Sequence, residues 1–277
     1  MWQPEPEGSR PEDSGGSALP GPHARSDPPR RGRGRIVAFG LVLVLGLAAL
    51  AGAAVGIAHQ LLPRQFTPAQ QRSIVAWELQ RRWRALPAAR VFPESVTYQI
   101  PAAVLYATSS LYLQARLIQI SPQDTCPAAF SGVATRVLRE HGCSAAMRAT
   151  YVDASGGMVA TIAVAVLPGS ATAQAVAAAL PGSADARPAL VRALSIPRTA
   201  AAGFRDAQRQ LSVTTAAGPY VIMATAGFSD GRNRVNIAAD RYLYRELASL
   251  AGGLIRSASL VLGKPPAVPA CPGAPGC

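Results

Sequence analysis

Residues 146–167 read AMRATYVDASGGMVATIAVAVL, and this stretch decides the fold class. Met147, Ala149 and Tyr151 alternate with Arg148 and Thr150, the period of two expected of a half-buried strand. Asp153-Ala154-Ser155-Gly156-Gly157 supplies the short polar and glycine residues that turns demand. Residues 158–167 then run almost without a polar side chain, as a central strand does. Two strands joined by so short a turn form an antiparallel hairpin.

Working toward the C-terminus, Pro168-Gly169 breaks the second strand, and residues 170–180 form an alanine-rich helix of high intrinsic propensity. Residues 181–203 are poorly patterned and basic (Arg187, Arg192, Arg198), with a short helix expected over 188–194. A second hairpin joins 211–215 to 220–226, and Ser229-Asp230-Gly231-Arg232 is a further turn. A final helix is expected over 238–262, with Tyr242, Leu247, Leu250, Leu254 and Leu260 inward.

Working toward the N-terminus, 127–139 reads as one helix through Phe130, Val133, Ala134 and Leu138, with Gly142 as its C-cap. Residues 111–120 and 96–100 are strands. Thr67 and Pro68 are a favoured N-cap and N1 pair. They open a helix whose Val75, Leu79, Trp83 and Leu86 share one face. Trp77 and Trp83 suit either core packing or a juxtamembrane helix at headgroup level. The order, taken as β-α-β-β-α-loop-β-β-α, gives an α+β fold: an antiparallel sheet with helices on one face. A ferredoxin-like split β-α-β unit is the nearest named core.

Upstream lies the most apolar part of the chain. Residues 36–58, IVAFGLVLVLGLAALAGAAVGIA, carry no charge. About 20 apolar residues at 1.5 Å rise cross a hydrocarbon core of roughly 30 Å, so a transmembrane signal-anchor is expected over 36–61. The rival is a cleaved leader, for which Ala51-Gly52-Ala53 is a passable site. Arg25, Arg30, Arg31, Arg33 and Arg35 precede the run closely, whereas Arg64 and Arg72 follow it. That bias puts the N-terminus in the cytoplasm, with Arg30, Arg31, Arg33 and Arg35 as the topogenic cluster. The chain then divides into a disordered cytoplasmic tail (1–35), the plasma-membrane anchor (36–61), a juxtamembrane helix (62–92), an extracytoplasmic α+β domain (93–263) and a Pro/Gly-rich tail (264–277).

Composition narrows the function less than the topology. The 277 residues are 49% hydrophobic and only 15% charged, with a formal charge of +12. Beyond residue 62 there are 21 cationic side chains and 10 acids, a net of +11. Such a field favours anionic headgroups, wall polymers or another envelope protein as partners beside the bilayer itself. Nucleic acid is not expected, since basic and aromatic residues are not interleaved.

Cys126, Cys143, Cys271 and Cys277 all follow the apolar run, as suits an oxidising exterior. The spacing favours 126–143 and 271–277 bonds; reduced thiols or pairing with another chain are the alternatives. No CxxC pair exists, so zinc is not expected, nor is any other metal or cofactor. No S-x-x-K, H-E-x-x-H or phosphate-binding glycine loop occurs. No catalytic residue is assigned: His23 and His59 lie in the tail and the apolar run, and His141 sits at a helix C-terminus, where it suits the dipole.

The Pro/Gly/Arg-rich leader, the Ala/Leu/Val/Gly span, Gly142-Cys143 leading into residues 148–153, and the apolar strand 158–167 together resemble uncharacterised single-pass envelope proteins of high-GC actinobacteria. The resemblance implies an extracytoplasmic sensor-like or binding-like domain and carries over no functional residue. A non-enzymatic, membrane-anchored binding or interaction module is the leading expectation. A tethered envelope hydrolase, or a regulator acting through the N-terminal tail, are the alternatives.

Overall fold

The computed structural model describes residues 33–61, 66–105, 107–121, 125–180, 190–233 and 241–267, with side chains at all of these except 33–39, 58–61, 241 and 243. The chain forms two compact units, Met1–Leu62 and Pro63–Cys277. In the first, α1 (Arg33–Leu61) includes a segment, Gly40–Ile57, that is long and apolar enough to cross a membrane and has no residue buried within the protein. Arg33 and Arg35 fall in its first turn; Arg30 and Arg31 lie outside the described residues.

The second unit opens with α2 (Pro68–Ala85). Thr67 caps it as expected: its hydroxyl accepts from Gln70 N, and Gln70 Oε1 accepts from Thr67 N at 2.9 Å, a reciprocal capping box. Short helix α3 (Ala88–Val91) leads to β1 (Ser95–Ile100); α4 (Ala102–Leu105) separates it from β2 (Leu111–Ile120). Then come α5 (Cys126–Ala129), α6 (Gly132–Glu140), β3 (Ala145–Asp153), β4 (Met158–Val166) and α7 (Ser170–Ala179). A single 3-10 turn precedes β5 (Arg209–Ala217), β6 (Tyr220–Phe228) and α8 (Arg241–Leu262).

β1 and β2, with only the one-turn α4 between them, precede α5 and α6, so the described elements form three successive antiparallel strand pairs, each followed by helix. Among the described residues the sheet has six strands in the order β1-β2-β3-β4-β6-β5, and every neighbouring pair is antiparallel. Among the described residues the strand order departs from sequence order only at β4-β6-β5, where β6 pairs antiparallel with both β4 and β5.

Nor do the helices keep to one face. In β3, β4 and β6 every residue is buried, which requires cover on both sides. On one face Tyr98, Tyr151, Ile162 and Ile222 pack against Leu247, Leu250 and Leu254 of α8. On the other, Ala146, Ala163 and Val221 pack against Phe130, Leu138 and Val176 of α5–α7 and their flanks. Alanine on both faces of the central strands lets two helical layers approach closely. Tyr242 and Leu260, expected inward on α8, are 45% and 68% exposed; residues 238–240 lie outside the described residues.

Two expected helices are replaced. The 127–139 helix is interrupted at Phe130–Ser131, and α6 restarts at Gly132 with φ +57°. The described part of 188–194 is extended: Val191 bridges Phe130, Ser131 N donates to Leu190 O and Arg192 N to Ala129 O. The break in the helix frees main-chain groups that this crossing segment satisfies.

α2 belongs to the same compact unit as the sheet. Leu79 and Trp83 are buried, and the Tyr220 hydroxyl donates to Leu79 O and accepts from Trp83 N. Arg82 donates to the carbonyls of Val261, Leu262 and Lys264, closing the negative end of α8. Trp77 is 59% exposed, with the Arg81 guanidinium 4.4 Å from its ring centroid.

Candidate functional site

β1 is an edge strand of the sheet. Its six residues, Ser95-Val96-Thr97-Tyr98-Gln99-Ile100, alternate exposed and buried without exception, because only one face is covered there. Hydrogen-bond phase follows from one contact: Leu117 N donates to Glu94 O at 2.8 Å. The register pairs Val96 with Ala115 and Tyr98 with Leu113. In an antiparallel ladder alternate residues bond the same neighbour. Glu94, Val96, Tyr98 and Ile100 therefore bond β2, while Ser95, Thr97 and Gln99 aim their N–H and C=O outward.

A cleft of about 400 Å³ lies along this edge, lined by Thr97, Gln99 and Tyr112 on the strand side and by Ser249, Gly252 and Arg256 on α8. Gly253 sets its depth: a Cβ there would run into Cα and Cβ of Tyr98, so α8 rests directly on β1, whereas a Cβ at Gly252 meets nothing within 4 Å. Tyr112 is 66% exposed beside it.

The titratable groups behind the cleft have structural work. Asp153 is buried, accepting from Met158 N at 2.7 Å, from Ser155 N at 3.0 Å and from the Ser155 hydroxyl; it is the Asx residue of the expected 153–157 turn. Burial, then the charge of Asp153, raises the pKa of the Glu246 carboxyl. Burial, with Asp153 and Glu246 adding, raises that of the Tyr98 phenol, whose hydroxyl has no hydrogen-bond partner among the described residues. Tyr151, raised by burial, donates to Pro93 O at 2.9 Å.

Two polar clusters that the sequence does not announce lie on the opposite face, and both hold the crossing segment 190–196. Thr150, Thr161, Thr225 and Ser212 stand in one row across β3, β4, β6 and β5, in register and buried. Thr150 and Thr161 hydroxyls meet at 3.0 Å; Thr150 donates to Leu194 O, Leu194 N to Thr161, and Leu190 N to Ser212. Beside them Arg209 donates to Val191 O at 2.6 Å and to the Ser131 hydroxyl at 2.9 Å, and it pairs with Asp206 at 3.4 Å. Burial lowers its pKa, against the pull of Asp206. Arg192 pairs with Asp206 and donates to Phe130 O. Part of the basic excess is thus committed to internal carbonyls.

The Cys126–Cys143 disulfide is formed, with Cα atoms 6.4 Å apart across 17 residues; Cys271 and Cys277 lie outside the described residues. His141 caps α6, with its Nδ1–H donating to Val137 O at 2.9 Å. Among the described residues no three His, Cys, Asp or Glu side chains gather as a metal site. Several of the other acids hold turns or ion pairs: Asp230 with Arg232, Glu78 with Arg82. Residues 96–100 read only as a strand in the sequence; the edge position of β1 shows only through pairing, since the outermost strand of a sheet has no local signature. Compared with family models, curated proteins and solved structures, the chain finds no match.

Proposed function

We propose that this chain is a single-pass, membrane-anchored interaction module of the cell envelope, with its N-terminus in the cytoplasm, its α+β domain outside and no catalytic step of its own. The observation that carries the reading is the β1 edge: outward main-chain donors and acceptors beside a cleft of about 400 Å³, an arrangement that recruits an extended partner by strand addition. The apolar stretch Gly40–Ile57 supports the anchor, and the disulfide supports an oxidising compartment. The flanking arginines support the orientation. The resemblance to actinobacterial envelope proteins and the net charge of +11 beyond residue 62 agree with a setting among anionic headgroups and wall polymers.

Protease added to intact spheroplasts is expected to digest the domain beyond α1 and spare the N-terminal tail. A photo-crosslinking residue at Gln99 in the same membranes is expected to form protein adducts. Digestion of the tail alone would overturn the orientation; the absence of any adduct would overturn the interaction module, as would turnover on an ester or glycoside panel.

A further inference from the structure

We infer that the partner at this edge is a second copy of the chain, with β1 pairing antiparallel to β1 about a twofold axis at Thr97. The inference rests on the interaction-module reading of the same site and names its occupant.

Exposed strand edges are normally blunted by charge, proline, bulges or cover. The far edge has such devices: β5 begins with Arg209, has a register shift between Arg209 and Leu211, and is packed by both α7 and α8. β1 has none. Its six residues are uncharged, β-prone and uninterrupted, with Pro93 and Pro101 only flanking them.

The phase of the strand selects the register. Outward groups belong to Ser95, Thr97 and Gln99, so a second strand must match odd positions to odd positions. Centring on Thr97 pairs Thr97 with Thr97 and Ser95 with Gln99 in both directions, giving about six main-chain hydrogen bonds. Sliding by two residues brings Pro101 or Pro93 into a bonded position, where proline has no N–H to give. In the favoured register the solvent-side pairs are Thr with Thr and Ser with Gln, and no like charges face each other.

Charge closes the ends. Glu94, exposed just before β1, comes opposite Ile100 of the second copy. Arg256 lines the cleft beside Gln99 and Pro101, so each Arg256 meets the Glu94 of the other copy, twice by symmetry. The helices set the remaining condition. Paired strands lie about 4.8 Å apart, while packed helices need roughly 8 to 10 Å. The two α8 helices, each of which also packs on β5 and β6, must therefore lie back from the shared edge, and small facing sides let them reach the lower end of that range. The cleft side of α8 presents Ala248, Ser249 and Gly252, with open space at Gly252. Confinement of both copies to one membrane plane raises their effective concentration.

The test uses the full chain in its native membranes, oxidised and read on non-reducing gels, with the wild type as background for its own cysteines. Opposed residues in a bonded antiparallel pair have Cα atoms about 5.5 Å apart, within disulfide range. Thr97→Cys is expected to give a covalent dimer. Ser95→Cys and Gln99→Cys are expected to give one only when co-expressed. Arg256→Glu or Glu94→Arg alone should lower the dimer yield about fivefold, and the two together in one chain should restore it. An intact Cys126–Cys143 bond serves as the folding control. Adducts at Gln99 that hold a different protein, with no Thr97 dimer, would overturn the second-copy inference and leave the interaction module standing. Absence of both adducts and dimer would overturn both.

Discussion

Glu246 is a carboxyl held against its preference. Burial first and the Asp153 charge second raise its pKa above the ordinary value, so the folded state binds this proton more tightly than the unfolded chain does. Its contribution to stability is therefore full below the unfolded pKa and is lost as pH rises through the folded one. Glu246→Gln removes the charge without removing the shape. Thermal melts are expected to show the variant more stable than wild type at pH 7, with the difference closing toward pH 4; a wild type more stable at pH 7 would refute this account. Local chemistry of this kind was partly legible beforehand. Thr67-Pro68 and Asp153–Gly157 act through neighbours a few residues away, and both took their expected roles. The Thr150-Thr161-Thr225-Ser212 row did not announce itself. A threonine in a strand is commonplace, and these four meet only through a register spanning 75 residues of chain.

At the scale of elements, strands and hairpins were readable because turn chemistry and a period of two are local. The helix expected over 127–139 breaks because its interruption is specified from elsewhere: Ser131 N finds Leu190 O, and Phe130 bridges Val191. The same distance hid the extended course of 190–194. The Cys126–Cys143 bond spans this interrupted helix pair, so the staple and the break belong together. Two short helices with a positive-φ glycine between them have little stability alone. Closing a loop of this length contributes about 3 kcal/mol in the chain-entropy model. Replacing both cysteines by alanine is expected to lower the unfolding free energy by that order, with earliest hydrogen exchange in α5 and α6. A loss below about 0.5 kcal/mol would show that packing on Phe130 and Leu138 suffices without the bond.

For the whole molecule, the 49% hydrophobic content divides into two kinds of surface. In the sheet domain it is consumed: three adjacent strands are buried at every residue, which a one-faced sheet cannot achieve. The apolar run 158–167 implied a central strand, yet which strands flank it, and hence how many helical layers the sheet needs, depends on a pairing order invisible in the chain. In α1 the apolar surface stays open, with Leu41, Val42, Leu45 and Leu50 each at least 60% exposed. Burying one such side chain yields roughly 1.5–3 kcal/mol, so leaving this helix in water would forfeit more than the ~5–15 kcal/mol that holds a typical domain folded. The helix must therefore be covered by something other than the described chain, and a bilayer matches its length. The full chain is expected to remain in the membrane pellet after alkaline carbonate washing. A chain beginning at Pro63 is expected in the supernatant with the same far-ultraviolet circular dichroism per residue and an intact Cys126–Cys143 bond, because the core residues of the sheet unit all lie within 79–262. Release of the full chain by alkali would mean that α1 does not span a bilayer, and an unfolded 63–277 fragment would mean that the sheet unit depends on α1.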